Sequence, residues 1–117
     1  MNPEDKPVVE IRFTPEFKRN LRVLAKKYRH IRSDIQPVIE ALQNGDLIGD
    51  QIPRVGYTVF KVRVKNSDLQ KGKSAGYRFI YYLRTAESII LITLYSKTEQ
   101  SDVSAAQIRQ VIKDFDS

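Results

Sequence analysis

The sequence predicts an α+β fold in which an antiparallel sheet of about four strands carries a helical hairpin and a C-terminal helix. Apolar residues recur at the 3.6-residue period of amphipathic helices in some segments and alternate at the two-residue period of strands in others. In chain order these segments are strand, helix, helix, three strands and helix. Short connections between the last three strands favour an antiparallel meander. The helices are expected to cover one sheet face and to leave the other open and basic.

Length and composition predict one domain over residues 1–117, with residues 1–7 flexible. The chain has no cysteine, which excludes disulfides and cysteine-based metal sites and fits a reducing cytoplasm. No apolar run is long enough for a membrane helix, and the first residues do not form a signal peptide, so we expect a soluble cytoplasmic protein. The formal charge of +6 and the pI near 9.7 indicate nucleic acid or an acidic protein as partner.

The first strand is predicted at residues 8–13, followed at once by a helix. Thr14 can cap free N–H groups, and Pro15 fits the first helical position. The apolar stripe of this helix recurs at steps of four and three residues and comprises Phe17, Leu21, Leu24, Tyr28 and Ile31. The opposite side of the helix is cationic and comprises Lys18, Arg19, Arg22, Lys26 and Arg29. It is a solvated surface or a contact with RNA or an acidic partner.

A second helix is expected to follow closely and to form a hairpin with the first. Ser33 and Gln36 match a capping box, with Pro37 tolerated in the first turn. The pattern ends at residues 44–45, where Asn-Gly is a typical helix stop. Residues 46–56 are predicted to be a loop.

The central strands carry an unusual concentration of positive charge. In residues 57–65, Phe60, Val62 and Val64 alternate with the cations Lys61, Arg63 and Lys65, which places the cations together on one face. After a basic connection, residues 77–84 form the next predicted strand, whose first cation is Arg78.

From residue 57 to residue 84 there are seven Lys or Arg residues and one acid, Asp68, so the local excess of six equals that of the whole chain. Cations a few ångströms apart repel by about 1 to 4 kcal/mol, depending on screening. A bound polyanion would offset this cost. A solvated lysine-rich sheet edge is the alternative, although edge protection needs only one or two lysines.

The last strand and helix complete the pattern. Residues 88–95 are apolar on both faces, which predicts an interior strand. Ser104 and Gln107 form a capping box, and Val103 and Ile108 are placed for a hydrophobic staple.

These segments resemble the RelE/ParE superfamily of type II toxin–antitoxin toxins, most closely the RelE-like HigB toxins. The resemblance rests on "FKVRVKN", "KGKSAGYRFIYYL" and "LYSKTEQSDVS" and extends from about residue 8 to residue 115. It implies an α-helical hairpin on an antiparallel sheet. It also implies a ribosome-dependent messenger-RNA endonuclease that a cognate antitoxin neutralises.

The resemblance assigns site residues position by position. Residues implied to be catalytic are Arg63, Lys71, Lys73, Arg78, Tyr95 and Lys97. Residues expected to contact RNA are Lys61 and Lys65 on the strand and Arg19, Arg22 and Lys26 on the first helix. The chain departs from RelE at Thr98 and Ser104, where RelE has an arginine and a tyrosine. Ser104 already has a structural role as a helix cap.

RNA can be cut without metal when its own 2′-hydroxyl attacks the adjacent phosphorus. Arginine suits the developing phosphorane because its planar fork binds phosphate oxygens and stays charged, and we assign Arg63 and Arg78 to this role. A lysine could act as base if neighbouring cations lower its pKa, and Lys61, Lys71 and Lys73 remain alternatives. Tyr95 could donate a proton, stack on a base or belong to the core, and Lys61 could bind phosphate without a part in catalysis.

Other chemistries find little support in the sequence. One histidine, His30, and scattered acids give no metal-binding pattern, and no cofactor is expected. Two rival functions remain: a ParE-like poison of DNA gyrase, and a non-catalytic nucleic-acid-binding module. The second rival calls for aromatic side chains on the open face, where Tyr57 and Tyr82 are the candidates.

Overall fold

The computed structural model describes residues 8–69, 75–100 and 102–116. The elements are β1 (Glu10–Phe13), α1 (Pro15–Lys27), α2 (Ile31–Gln43), β2 (Asp50–Gln51), β3 (Val59–Val64), β4 (Tyr77–Thr85), β5 (Ser88–Ser96) and α3 (Ala105–Asp116). The predicted α+β class and order of elements are confirmed, with the short strand β2 as an addition. The prediction for residues 1–7 lies outside the described residues.

The sheet has five strands in the order β1-β5-β4-β3-β2 and is mixed. The three predicted strands β3, β4 and β5 form an antiparallel meander as predicted. The added strand β2 pairs antiparallel with β3, whereas β1 runs parallel to β5. The wholly antiparallel sheet of about four strands is therefore corrected. The helical hairpin between β1 and the meander gives the chain a long crossover, and parallel pairing requires such a connection. The predicted loop supplies β2 because Asp50 and Gln51 pair with the edge of β3.

The first core lies between the helical hairpin and one face of the sheet. Helix α1 contributes Phe17 and Leu24, and α2 contributes Ile31, Ile35 and Leu42. The sheet residues packed against them include Val62, Val64, Tyr77, Phe79, Tyr81, Ile89, Leu91 and Leu94. Full burial of one such side chain stabilises the fold by about 1.5–3 kcal/mol. The predicted inward face of β3 is thus confirmed.

Thr14 fixes the start of α1 on the sheet. Its Oγ1 accepts a hydrogen bond from the N–H of Phe17 at 3.1 Å, as predicted for a helix cap. The same hydroxyl donates to the carbonyl oxygen of Ile92 at 2.8 Å. One buried side chain therefore caps α1 and attaches it to the interior strand β5.

The second helix begins two residues earlier than the predicted cap. Ile31, fully buried, is its first residue and does not belong to α1. Ser33 lies inside the helix, where its hydroxyl donates to the carbonyl oxygen of His30 at 2.9 Å. The predicted capping box with Gln36 is wrong, and Pro37 lies beyond the first turn. Burying Ile31 outweighs the cap, whose loss costs only about 1 kcal/mol.

The second core lies on the opposite face, under α3. Ile108 and Ile112 pack there in one cluster with Val59, Ile80 and Ile90. The prediction that one face is left wholly open is therefore corrected. The alternate positions of β3 and β4 are apolar towards one end of the strands, and α3 packs over them together with Val55. The capping box between Ser104 and Gln107 is confirmed, with hydrogen bonds of 2.9 and 3.1 Å.

Candidate functional site: a cationic row at one end of the sheet

Three of the predicted catalytic side chains occur in one row across three strands. Arg63 on β3 lies opposite Arg78 on β4, and Arg78 lies opposite Tyr95 on β5. Directly opposed residues on antiparallel strands project to the same side, with Cβ atoms about 5 Å apart. We call Arg63, Arg78 and Tyr95 the cationic row. It lies on the face that carries α3.

Helix α3 begins beside the cationic row and leads away from it. Asp102, just before the helix, contacts Tyr95 at 3.1 Å. At the other end of the helix, Asp116 forms an ion pair of 3.2 Å with Arg84. Arg84 thus connects β4 to the end of α3. The helix covers the apolar part of this face and leaves the row at its N-terminal end.

Gly76 sets the close approach of β3 and β4 at the row. A Cβ atom at this position would overlap the carbonyl oxygen of Val64. Only glycine therefore lets β4 begin at this place without moving β3. The carbonyl oxygen of Gly76 also accepts a hydrogen bond of 2.9 Å from the N–H of Lys97. This joins the start of β4 to the end of β5.

The two arginines of the row differ in their access to solvent. Arg63 is exposed, whereas Arg78 is only 5% exposed, and its Nη1 donates to the carbonyl oxygen of Tyr77 at 3.2 Å. Arg63 can therefore meet a large substrate directly. A direct contact of Arg78 with the same substrate requires movement of the groups that cover it.

The structure adds Asp102, which the sequence analysis missed. The Tyr95 hydroxyl donates to Oδ1 of Asp102 at 3.1 Å. The Nζ of Lys61 lies 3.6 Å from the same oxygen, and the Nζ of Lys97 lies 3.9 Å from Oδ2. One carboxylate therefore joins three predicted site residues. The only sequence signal was an acid five residues after the "YSK" lysine.

The pKa values of Tyr95 and Asp102 shift in opposite directions. Burial, followed by the hydrogen bond to Asp102, raises the pKa of Tyr95 to about 12. The hydrogen bond from Tyr95, followed by the positive charges of Lys61 and Lys97, lowers the pKa of Asp102. At neutral pH the tyrosine hydroxyl thus retains its proton and the aspartate is charged.

The connection between β5 and α3 is anchored on both sides of Asp102. Glu99 forms an ion pair of 2.7 Å with Lys27 of α1, and its N–H donates to the carbonyl oxygen of Ser96. Thr98, one of the departures from RelE, shares a hydrogen bond of 3.0 Å with the Ser96 hydroxyl. Ser104, the other departure, caps α3. Both departures therefore have structural contacts.

The remaining predicted RNA contacts are scattered. Lys65 is exposed just beyond the end of β3, and Arg22 and Lys26 are exposed on α1. Arg19 lines a cleft of about 220 Å³ between α1 and the end of β5, and Tyr95 lines it too. Lys71 and Lys73 lie outside the described residues.

Tyr57 and Tyr82 pack against each other with ring centroids 5.3 Å apart. Both are partly buried and adjoin the second core. They do not form the open stacking surface that a non-catalytic nucleic-acid-binding module would need. His30 is exposed, and its Nδ1 lies 2.6 Å from Oδ1 of Asp68, away from the row.

Within residues 8–69, 75–100 and 102–116, no three His, Asp or Glu side chains are grouped so that they could hold a metal ion. Among the same residues, no helix is both long enough and apolar enough to cross a membrane.

Comparison with known protein families gives a match over most of the chain. Residues 15–114 match the model of the RelE toxin of the RelE/RelB toxin–antitoxin system. The matched segment runs from the start of α1 almost to the end of α3, so it includes the cationic row and Asp102. A comparison with curated proteins finds no significant similarity.

Proposed function

Because the chain belongs to the RelE toxin family, we propose that it is a ribosome-dependent endoribonuclease that stops translation by cutting messenger RNA in the cytoplasm. Membership of this family makes the protein a toxin of a toxin–antitoxin system and its partner a cognate antitoxin. The endonuclease proposal is supported by the cationic row of Arg63, Arg78 and Tyr95, with Lys61 and Lys97 beside it.

The proposed reaction is attack of an RNA 2′-hydroxyl on the neighbouring phosphorus. A 2′,3′-cyclic phosphate forms, and the bond to the 5′-oxygen of the next nucleotide breaks. The nucleophile belongs to the substrate, so the protein has to bind the phosphate, stabilise the additional negative charge and transfer protons. Arg63 supplies an exposed guanidinium, which can hold two phosphate oxygens at once. Arg78 adds a second positive charge from beneath the surface.

Tyr95 is the proposed general acid. With a pKa of about 12 it is protonated at neutral pH and can donate to the leaving 5′-oxygen. Asp102, which accepts the Tyr95 hydrogen bond, must release the hydroxyl for this step. Lys61, Lys71 and Lys73 remain the alternatives for the base.

The decisive experiment compares Arg63→Ala with Lys65→Ala. Arg63 is an exposed cation on β3 and Lys65 is an exposed cation just beyond its end, and both substitutions remove one positive charge. Cleavage of messenger RNA is followed on programmed ribosomes, and ribosome affinity is measured separately. Arg63→Ala should lower the cleavage rate of the bound complex by about a hundred- to a thousandfold, as typical for loss of one donor to a charged transition state. Lys65→Ala should weaken binding modestly and leave that rate near normal.

Equal cleavage by the two bound variants would refute the role of Arg63. Arg78→Gln provides the second test, since it removes the charge and keeps a polar side chain of moderate size in the sheet. Circular dichroism first establishes that this variant is folded. A folded Arg78→Gln protein with a normal cleavage rate would leave charge stabilisation to Arg63 and the lysines.

The rival functions predict different results in cells. Expression without the antitoxin should arrest growth through loss of protein synthesis, with messenger RNA cut within translated regions. Continued protein synthesis together with double-strand DNA breaks would instead indicate a gyrase poison. Binding to ribosomes or RNA with no cleavage under any condition would indicate a non-catalytic binding module.

We also propose that the antitoxin covers the cationic row with an acidic segment or displaces an element that supports the row. The excess of six positive charges between residues 57 and 84 should attract such a segment, and its affinity should fall as salt rises. The dissociation constant is measured from 50 to 500 mM salt. A constant value over this range would place the contact on an apolar surface elsewhere.

A further inference from the structure

The Asp102 carboxylate has the surroundings of a bound anion. It accepts a hydrogen bond from the Tyr95 hydroxyl, and the ammonium groups of Lys61 and Lys97 lie 3.6 and 3.9 Å from its oxygens. Lys61 comes from β3, whereas Tyr95 and Lys97 come from the end of β5. Side chains from two parts of the sheet therefore converge on one negative group.

A phosphodiester offers the same chemistry as this carboxylate. It carries one negative charge and has oxygens that accept hydrogen bonds from ammonium and hydroxyl groups. A phosphate bound to Lys61, Tyr95 and Lys97 while Asp102 stayed in place would meet like charge at short distance. Phosphate and Asp102 cannot both be accommodated favourably.

We propose that Lys61, Tyr95 and Lys97 form a phosphate-binding site, which Asp102 occupies as an intramolecular competitor until substrate replaces it. The inference rests on the proposed function in one respect, namely that RNA supplies the phosphate. Release of Asp102 also frees the Tyr95 hydroxyl, so binding of the phosphate and availability of the proposed general acid are coupled.

The contacts of Asp102 suit a group that can be displaced. Its side chain is 63% exposed, and both ion pairs are long. Exposed ion pairs of this kind contribute little to stability. Glu99 and Ser104 anchor the connection on either side, through Lys27 and through the cap of α3. The carboxylate can therefore move away while the ends of the connection stay attached.

The test is the affinity for a short single-stranded oligoribonucleotide, measured by fluorescence anisotropy at low salt and without ribosomes. Asp102→Asn removes the charge and keeps an oxygen that can accept the Tyr95 hydrogen bond. Asp46→Asn is the matched control, because Asp46 is an exposed aspartate just after α2 and its substitution changes the net charge equally. Asp102→Asn should bind about three- to tenfold more tightly than Asp46→Asn.

A second comparison separates the local site from a general charge effect. In a Lys61→Ala background the gain from Asp102→Asn should shrink, because one of the groups that hold the phosphate is absent. An undiminished gain would overturn the proposal, as would equal affinities of the Asp102 and Asp46 variants. Slower ribosomal cleavage by Asp102→Asn without tighter RNA binding would also overturn it and make Asp102 a positioning residue for Tyr95.

Failure of the phosphate-site proposal and failure of the endonuclease proposal give different results. If the unsubstituted protein does not cut messenger RNA on ribosomes, the endonuclease proposal fails. Tighter oligoribonucleotide binding by Asp102→Asn would still support the phosphate site in that case. Conversely, the unsubstituted protein could cleave normally on ribosomes while Asp102→Asn and Asp46→Asn bind RNA equally well. That result would leave the endonuclease proposal intact and refute the role of Asp102 as a competitor.

Discussion

Two tyrosines on β4 should respond in opposite ways to loss of the same atom. Tyr77 and Tyr81 are both fully buried, face the first core and pack edge-on or stacked against other rings. The Tyr81 hydroxyl donates to the carbonyl oxygen of Ile48 at 2.6 Å. The Tyr77 hydroxyl has no hydrogen-bond partner among the described residues. Burial raises the pKa of both tyrosines, that of Tyr81 to about 12.

The expected free energies follow from these contacts. Tyr81→Phe keeps the ring and loses one hydrogen bond, which should lower the free energy of unfolding by about 1 kcal/mol. Tyr77→Phe removes a buried hydroxyl that has no hydrogen-bond partner among the described residues. This substitution should raise the free energy of unfolding by about 1 kcal/mol. The difference of about 2 kcal/mol is expected even though the chemical change is identical.

Urea denaturation followed by circular dichroism measures both values. The slope of the transition should be unchanged, since neither variant alters the area exposed on unfolding. Thermal midpoints should move in opposite directions by about 3–5 °C per kcal/mol. Destabilisation of Tyr77→Phe by as much as Tyr81→Phe would refute the reasoning and show that the Tyr77 hydroxyl is stabilised in the folded protein.

Three further predictions concern Thr14, Gly76 and Asp68. Thr14→Val should lower the free energy of unfolding by about 2–3 kcal/mol in urea denaturation, because this variant loses both the helix cap and the hydrogen bond to Ile92. Thr14→Ser keeps the hydroxyl and should retain most of that free energy. Gly76→Ala should cost about 1–3 kcal/mol and reduce ribosomal cleavage beyond the loss of folded protein, since its methyl group pushes β3 from β4 beside Arg63. Hydrogen bonds from His30 lower the pKa of Asp68, so the contribution of this carboxylate is complete above its ordinary pKa of 3.8 and is lost as the pH falls through the lowered value. Asp68→Asn should therefore reduce the thermal midpoint at pH 6, and the difference from the unsubstituted protein should vanish in acid; a difference that persists there would exclude this electrostatic origin.

The sequence by itself determined the elements and the faces that they bury. Apart from Ile31, which belongs to α2, the stripe of α1 is confirmed, as are the cap at Thr14, the capping box at Ser104 and the alternation along β3. These features depend on residues close together in the chain, so periodicity and cap chemistry are sufficient to predict them. The resemblance to RelE was likewise visible in local motifs, and the family match over residues 15–114 confirms it.

Only the tertiary structure decided which elements meet. The parallel pairing of β1 with β5, the position of α3 on the basic face and the early start of α2 at Ile31 depend on contacts between distant segments. The candidate site was likewise predicted in part from the sequence and completed by the tertiary structure. Residue type and alternation placed Arg63 and Arg78 on one face, but the register that aligns both with Tyr95 arises from pairing across three strands. No local sequence pattern marks Asp102. Its contacts arise because the connection from β5 to α3 places its carboxylate between Lys61 of β3 and Lys97, which follows β5.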